Sequence, residues 1–191
     1  MKAVELWHKT IGAQLDELAK TYPNNDAVVY NDIDYKRTWK EFNDECNTVA
    51  RGLMDLGVGK GDHVAIWATN IPEWLLTFYA TVKIGAVLVT VNTAYRVFEL
   101  EYLLRQSDTK VLVMGEGYRT TKYANILNEL CPTLSKQNPE KLMLPMLPCL
   151  KNVICTQSDT PAGMLNFSEL YRRAENTPYE VLQALSDSLD A

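Results

Sequence analysis

The chain has 191 residues, 47% of them hydrophobic and 23% charged, which suits one soluble α/β domain or a little more. Nineteen basic residues stand against 24 acidic ones, a formal net charge of -5, and the basic residues are scattered, which argues against a phosphate-backbone partner such as a nucleic acid. Four cysteines, Cys46, Cys131, Cys149 and Cys155, form no C-x-x-C pair and have no histidine at zinc-ligand spacing, so no metal or redox motif is expected and a reducing, cytoplasmic setting fits.

At the start, Met1 to Trp7 contains an acid and no long apolar core, which argues against a signal or transit peptide, and no apolar run is long enough for a transmembrane segment. Residues Leu6 to Ala19 place Ile11, Leu15, Leu18 and Ala19 at helical spacing until Tyr22-Pro23-Asn24-Asn25 stops them. Ala27 to Tyr30 and Tyr35 to Thr38 read as a hairpin turning through Asn31 to Asp34. Thr38 and Glu41 form a capping box for the next helix, whose apolar face is Phe42, Cys46, Val49, Ala50 and Leu53 and whose end falls at Gly57.

The period then changes. Val64 to Ala68, Val87 to Val91 and Val111 to Met114 are almost continuously apolar, as expected of strands covered on both faces. Between them lie two helical segments. One opens around Pro72, with Asn70 and Glu73 in capping-box register, and closes at Gly85; the other carries Val97, Leu100, Leu103 and Leu104 on one face. Alternating strands and helices at this spacing predict right-handed βαβ crossovers and a doubly wound, mostly parallel α/β sheet with helices on both faces. A further helix over Lys122 to Leu130 ends at Cys131-Pro132, and residues 132–151, holding four of the eight prolines, read as a surface-wrapping linker. A strand at Asn152 to Thr156, a short helix over Phe167 to Ala174 and a last helix from Thr177-Pro178 complete the chain. The expected organisation is 1–34 for the first helix and strand, 35–131 for the βαβ core, 132–151 for the linker and 152–191 for the remainder.

Candidate chemistry is sparse. Gly57-Val58-Gly59-Lys60-Gly61-Asp62 lacks the Ser or Thr of a Walker loop and precedes a strand, so a helix C-cap and tight turn are expected there. Gly115 to Thr120 follows a strand, but Thr120 replaces the third glycine of a dinucleotide fingerprint and Glu116 would repel a pyrophosphate; a strand-to-helix turn outweighs the oxidoreductase reading. His8 and His63 have no nucleophile arranged beside them, Glu99 and Glu101 read as solvated helix positions, and Trp39, Trp67 and Trp74 read as core. No catalytic, cofactor-binding or metal-binding residue is assigned.

Specific motifs carry a resemblance. Tyr35-x-x-Thr38-Trp39-x-Glu41-Phe42 resembles the first motif of the adenylate-forming (AMP-binding) superfamily, and Val82-Lys83-Ile84-Gly85-Ala86-Val87-Leu88-Val89-Thr90-Val91-Asn92 resembles the second, with Thr90 for its proline and Asn92 for its aspartate. Asn70-Ile71-Pro72-Glu73-Trp74, Leu130-Cys131-Pro132 and Leu147-Pro148-x-Leu150 are similar to the fatty-acyl-CoA ligase branch. The resemblance implies an acyl-CoA synthetase that uses ATP and Mg2+ to convert a medium- or long-chain fatty acid to acyl-AMP and then passes the acyl group to coenzyme A. The family's Ser/Thr/Gly-rich phosphate loop, its Tyr-Gly-x-Thr-Glu segment, its ribose-binding aspartate and its C-terminal-domain lysine do not occur between Met1 and Ala191. The expectation is therefore an N-terminal fragment, inactive alone and without cofactors of its own, exposing apolar surface and able to form a homodimer. The competing expectation is a stand-alone α/β binding or interaction module without catalysis.

Overall fold

The computed structural model describes residues 8–190. Helix α1 (Ile11–Thr21) is capped by the Thr10 hydroxyl, which accepts from Ala13 N–H; the helix foreseen from Leu6 therefore begins later, and Leu6 and Trp7 lie outside the described residues. Strands β1 (Asp26–Tyr30) and β2 (Tyr35–Thr38) form the expected antiparallel hairpin, with Asp34 in left-handed backbone at its turn. Helix α2 (Trp39–Asp55) carries the foreseen capping box, in which the Glu41 carboxylate accepts from Thr38 N–H at 2.9 Å and the Thr38 hydroxyl accepts from Glu41 N–H.

The main sheet contains β3 (His63–Trp67), β4 (Val87–Thr90), β5 (Val111–Met114), β8 (Asn152–Cys155) and β9 (Leu165–Asn166), all parallel, in the order β4-β3-β5-β8-β9. A two-residue hairpin, β6 (Gly117–Tyr118) and β7 (Thr121–Lys122), stands outside it. Helices α3 (Pro72–Lys83), α4 (Val97–Gln106) and α5 (Tyr123–Leu130) make the crossovers, and α6 (Glu169–Arg173) and α7 (Tyr179–Asp187) follow β9.

Alternation along the strands divides the core in two. Val64 and Ile66 of β3, Val111 and Val113 of β5 and Ile154 of β8 face a cluster built with α1, α2, α3, α6 and α7. Ala65, Trp67, Leu112, Met114, Val153 and Cys155 face the other way, against α4, α5 and the proline-rich segment. Both faces being covered, every residue of β5 and β8 is buried, which is why β5 reads as an unbroken apolar run and only Asn152 interrupts β8.

Several local features differ from the sequence reading. Helix α3 starts at Pro72 with Ile71 as its cap and no side-chain capping bond; the Asn70 side chain instead accepts a hydrogen bond from Tyr30 Oη at 3.0 Å, a partner 40 residues away. Glu99 is exposed, as read, and its carboxylate also accepts from Arg96 N–H at the start of α4, while Glu101 pairs with Arg105. Trp67 is fully buried, whereas Trp39 and Trp74 are half-buried and pack against the core edge. The segment 132–151 lacks regular structure apart from a 3-10 turn at Leu134–Lys136, yet it buries Leu134, Leu142, Leu144, Leu147 and Leu150. Arg173 anchors it, bonding Glu140 on this segment and Asp55 at the end of α2.

Candidate site at the carboxyl ends of the strands

In the order β4-β3-β5, the chain leaves β3 to one side and returns to the other, so the ends of β3 and β5 form the sheet's switch point, where open α/β sheets hold ligands. The Trp67 ring, ending β3, stacks on Tyr123 at the head of α5, with centroids 3.8 Å apart and planes 17° from parallel. Trp67 Nε1 donates to the Asn92 carbonyl and Tyr123 Oη to the Thr93 carbonyl, each at 3.1 Å. Three crossover ends are thereby pinned together, and burial pushes the Tyr123 phenol up to about 12. Asn92, the residue that departs from the family's aspartate, turns its own loop: its side-chain oxygen accepts from Ala94 N–H at 2.9 Å.

Gly115 lies beside this cluster, where an added Cβ would meet Ala68 at 3.3 Å, and its N–H donates to the Trp67 carbonyl. The stretch after it is a hairpin rather than the simple strand-to-helix turn expected. Arg119 sits at its tip with φ of 54° and its guanidinium over the Tyr118 ring, and Lys122 pairs with Glu116. Gly117 has no room for a side chain because one would run into the Thr121 carbonyl. The Tyr123 N–H is bonded to the Glu116 carbonyl, so the amides flanking this hairpin are committed within the protein and do not converge on an anion. At the opposite end of the sheet, Gly57 and Gly61 both adopt φ of 82° in the foreseen turn. Asp62 there accepts from Gly59 N–H and Lys110 Nζ; partial burial alone would raise its carboxyl, but these donors hold it below the usual range.

Next to Asn70 lies a polar cluster that no sequence spacing announced. The half-buried Glu45 carboxylate accepts from Tyr35 Oη (3.0 Å), Arg37 Nε (2.9 Å) and Tyr171 Oη (2.8 Å), so one side chain of α2 joins β2 and α6. Burial first, and then the Glu45 charge, raises the Tyr35 and Tyr171 phenols well above the tyrosine range. Burial likewise raises the Glu73 carboxyl, and the nearby Glu45 charge adds to it. These groups lie eight to 126 residues from Glu45, and the fold brings them together. His8 is exposed and His63 begins β3, remote from one another in sequence. Among the described residues, no group of three or more His, Cys, Asp or Glu is placed to hold a metal ion. The Gly115 and Tyr123 amides and the Asp62 and Glu45 carboxylates are thus occupied by partners within the protein.

The architecture defines a class, a parallel α/β sheet with a switch-point crevice and its local structure concentrated at the strand ends. The family model described as AMP-binding enzyme matches residues 15–179, and the chain belongs to this family. It is 45% identical over 186 residues to "Putative acyl-CoA synthetase YngI" of Bacillus subtilis, covering 97% of this chain and 34% of that protein. It is 35% identical over 162 residues to the mitochondrial medium-chain acyl-CoA ligase ACSF2 of Bos taurus, covering 85% of this chain and 26% of the relative. A solved Mycobacterium tuberculosis fatty acyl CoA synthetase superposes with a TM-score of 0.67 at 25% identity, over 89% of this chain and 29% of its own. The chain thus spans about a quarter to a third of the length of these proteins.

Proposed function

We propose that these residues form the N-terminal wall of an ATP-dependent acid-thiol ligase, which activates a medium- or long-chain fatty acid as acyl-AMP and transfers it to coenzyme A. The observation that supports this most directly is the family match across residues 15–179, joined to relatives named as acyl-CoA synthetases and a medium-chain acyl-CoA ligase. In this reading ATP, Mg2+ and coenzyme A belong to the whole enzyme. When bound, the metal and nucleotide supply an activated phosphoanhydride; this chain's residues supply the frame. Trp67, Tyr123 and Asn92 fix the loops at the carboxyl ends, and Glu45 fixes the hairpin beside them. Developing negative charge in adenylate formation requires preorganised donors, and the Gly115 and Tyr123 amides beside the switch point are engaged within the protein, so the isolated chain is inactive in this proposal.

The test uses two proteins. The chain alone should show no ATP-pyrophosphate exchange with octanoate or palmitate. A chimera joining it to the remaining part of the medium-chain acyl-CoA ligase relative should form acyl-CoA. Exchange by the chain alone would refute its role as scaffold. A folded chimera that makes no acyl-adenylate from any medium- or long-chain acid would refute the ligase assignment.

A further inference from the structure

The β1-β2 hairpin is attached to the molecule differently from the strands of the main sheet. No residue from Asp26 to Thr38 is fully buried, whereas every residue of β5 and β8 is. Among the described residues the hairpin pairs with no strand of the main sheet, and a two-stranded hairpin by itself is marginal in water. Of its apolar side chains, Ala27 and Val28 pack on the margin of the core, while Val29 and Ile33 are exposed. Its base is fixed by backbone, since Trp39 N–H donates to the Asn25 carbonyl at 3.0 Å and Lys40 N–H to the Pro23 carbonyl at 3.2 Å.

Beyond that base, the polar side chains of β2 converge on Glu45 of α2. One oxygen of its carboxylate accepts from both Tyr35 and Arg37, and the other accepts from Tyr171 of α6. The Arg37 guanidinium lies over the Tyr35 ring, 4.4 Å from its centroid, and the Tyr35 ring meets that of Tyr30 edge-on at 6.1 Å. Tyr30 Oη then donates to Asn70. A continuous run of contacts therefore leads from α2 through both strands of the hairpin to the loop between β3 and α3. That loop lies at the switch point, because Ala68 and Ile71, on either side of Asn70, are what an added Cβ on Gly115 would meet.

A region with little buried apolar surface opens at a lower free energy than the core beside it. Here the burden of keeping it closed falls on one carboxylate. The other element that Glu45 holds, α6, has anchors of its own, since Leu170 is buried and Arg173 bonds Asp55.

We propose that the β1-β2 hairpin is a flap that pivots on its base, that Glu45 latches it shut, and that in the shut position Tyr30 holds the β3-α3 loop at the switch point through Asn70. The latch involves neither nucleotide nor acyl transfer, so it stands or falls apart from the ligase reading.

Native-state hydrogen exchange of the purified chain, read by NMR residue by residue, tests it. In the unaltered chain the hydrogen-bonded amides of β1 and β2 should exchange about tenfold or more faster than those of β3 and β5, and dilute urea should leave their rates unchanged, as for a local opening. Glu45→Gln keeps the size of the side chain and removes its charge, and should speed exchange in the hairpin by about a further tenfold. The amides of β3, β5 and α6 should keep their rates. Arg37→Gln, at the rim of the cluster, should speed the hairpin severalfold, whereas Asp26→Asn, which breaks the exposed pair with Lys36, should not. Tyr30→Phe cuts only the last link, and should shift the amide resonances of Asn70 and Gly115 while the hairpin stays protected. Hairpin amides that exchange only together with β3 and β5 in the unaltered chain would overturn the flap, whatever the variants do. An equal acceleration of all elements in Glu45→Gln, or none in either Glu45→Gln or Arg37→Gln, would overturn the latch. Unmoved Asn70 and Gly115 resonances in Tyr30→Phe would overturn the link to the switch point.

Discussion

Lys83 shows how one side chain can be read correctly as part of a motif while its physical task stays hidden. It is 2% exposed, and its ammonium donates to Asp16 of α1 at 2.7 Å; the Asn43 side chain of α2 donates to the same oxygen at 2.9 Å. Three helices therefore meet on one carboxylate. Removing one partner of a buried pair leaves the other charge uncompensated, so Asp16→Ala should cost about 3 kcal/mol in urea unfolding. Asp16→Leu combined with Lys83→Met should recover most of that loss, and a double variant no more stable than Asp16→Ala would contradict the pairing. Glu73 makes the opposite case. Its folded carboxyl lies above its unfolded value, so its ionisation weakens the fold as pH rises through that range. Glu73→Gln should accordingly raise the Tm at pH 7 and have little effect near pH 4, which paired thermal melts would check.

At the scale of elements, close backbone approach decides which residues are replaceable. Gly52 on α2 faces α6, where an added Cβ would run into the Leu170 carbonyl and lie 2.8 Å from its Cα. Both obstacles are backbone, so the helices must separate. Gly52→Ala should destabilise by about 3 kcal/mol or more in chemical denaturation, despite the higher helix propensity of alanine. Gly57, by contrast, follows the end of α2 at positive φ with open space around it, and Gly57→Ala should cost only about 1 kcal/mol of backbone strain. Equal losses in the two variants would show that packing against α6 is not what selects Gly52. The α2 capping box was legible because both its partners lie three residues apart. The alternative cap at Asn70 was misleading because Tyr30, from another element, takes that side chain.

For the molecule as a whole, the sheet belongs to two cores at once, since Val64 and Ile66 of β3 pack on one side and Ala65 and Trp67 on the other. Neither layer can melt without stripping the strands of the other. Fluorescence from Trp67, isolated by replacing the other tryptophans with phenylalanine, should report the same unfolding midpoint as fluorescence from Trp74 isolated likewise. Distinct midpoints would mean that the layers unfold separately. The sequence by itself determined the strands, the crossover helices, the parallel α/β class and the family resemblance, because apolar periodicity, caps and contiguous motifs act over a few residues. Only the tertiary structure decided the β6-β7 hairpin and the short β9 strand. It alone also assembled the Glu45 cluster and the Trp67-Tyr123 stack. Apart from that local hairpin, each of these depends on partners from other elements, whose meeting is set by how whole layers pack rather than by local preference.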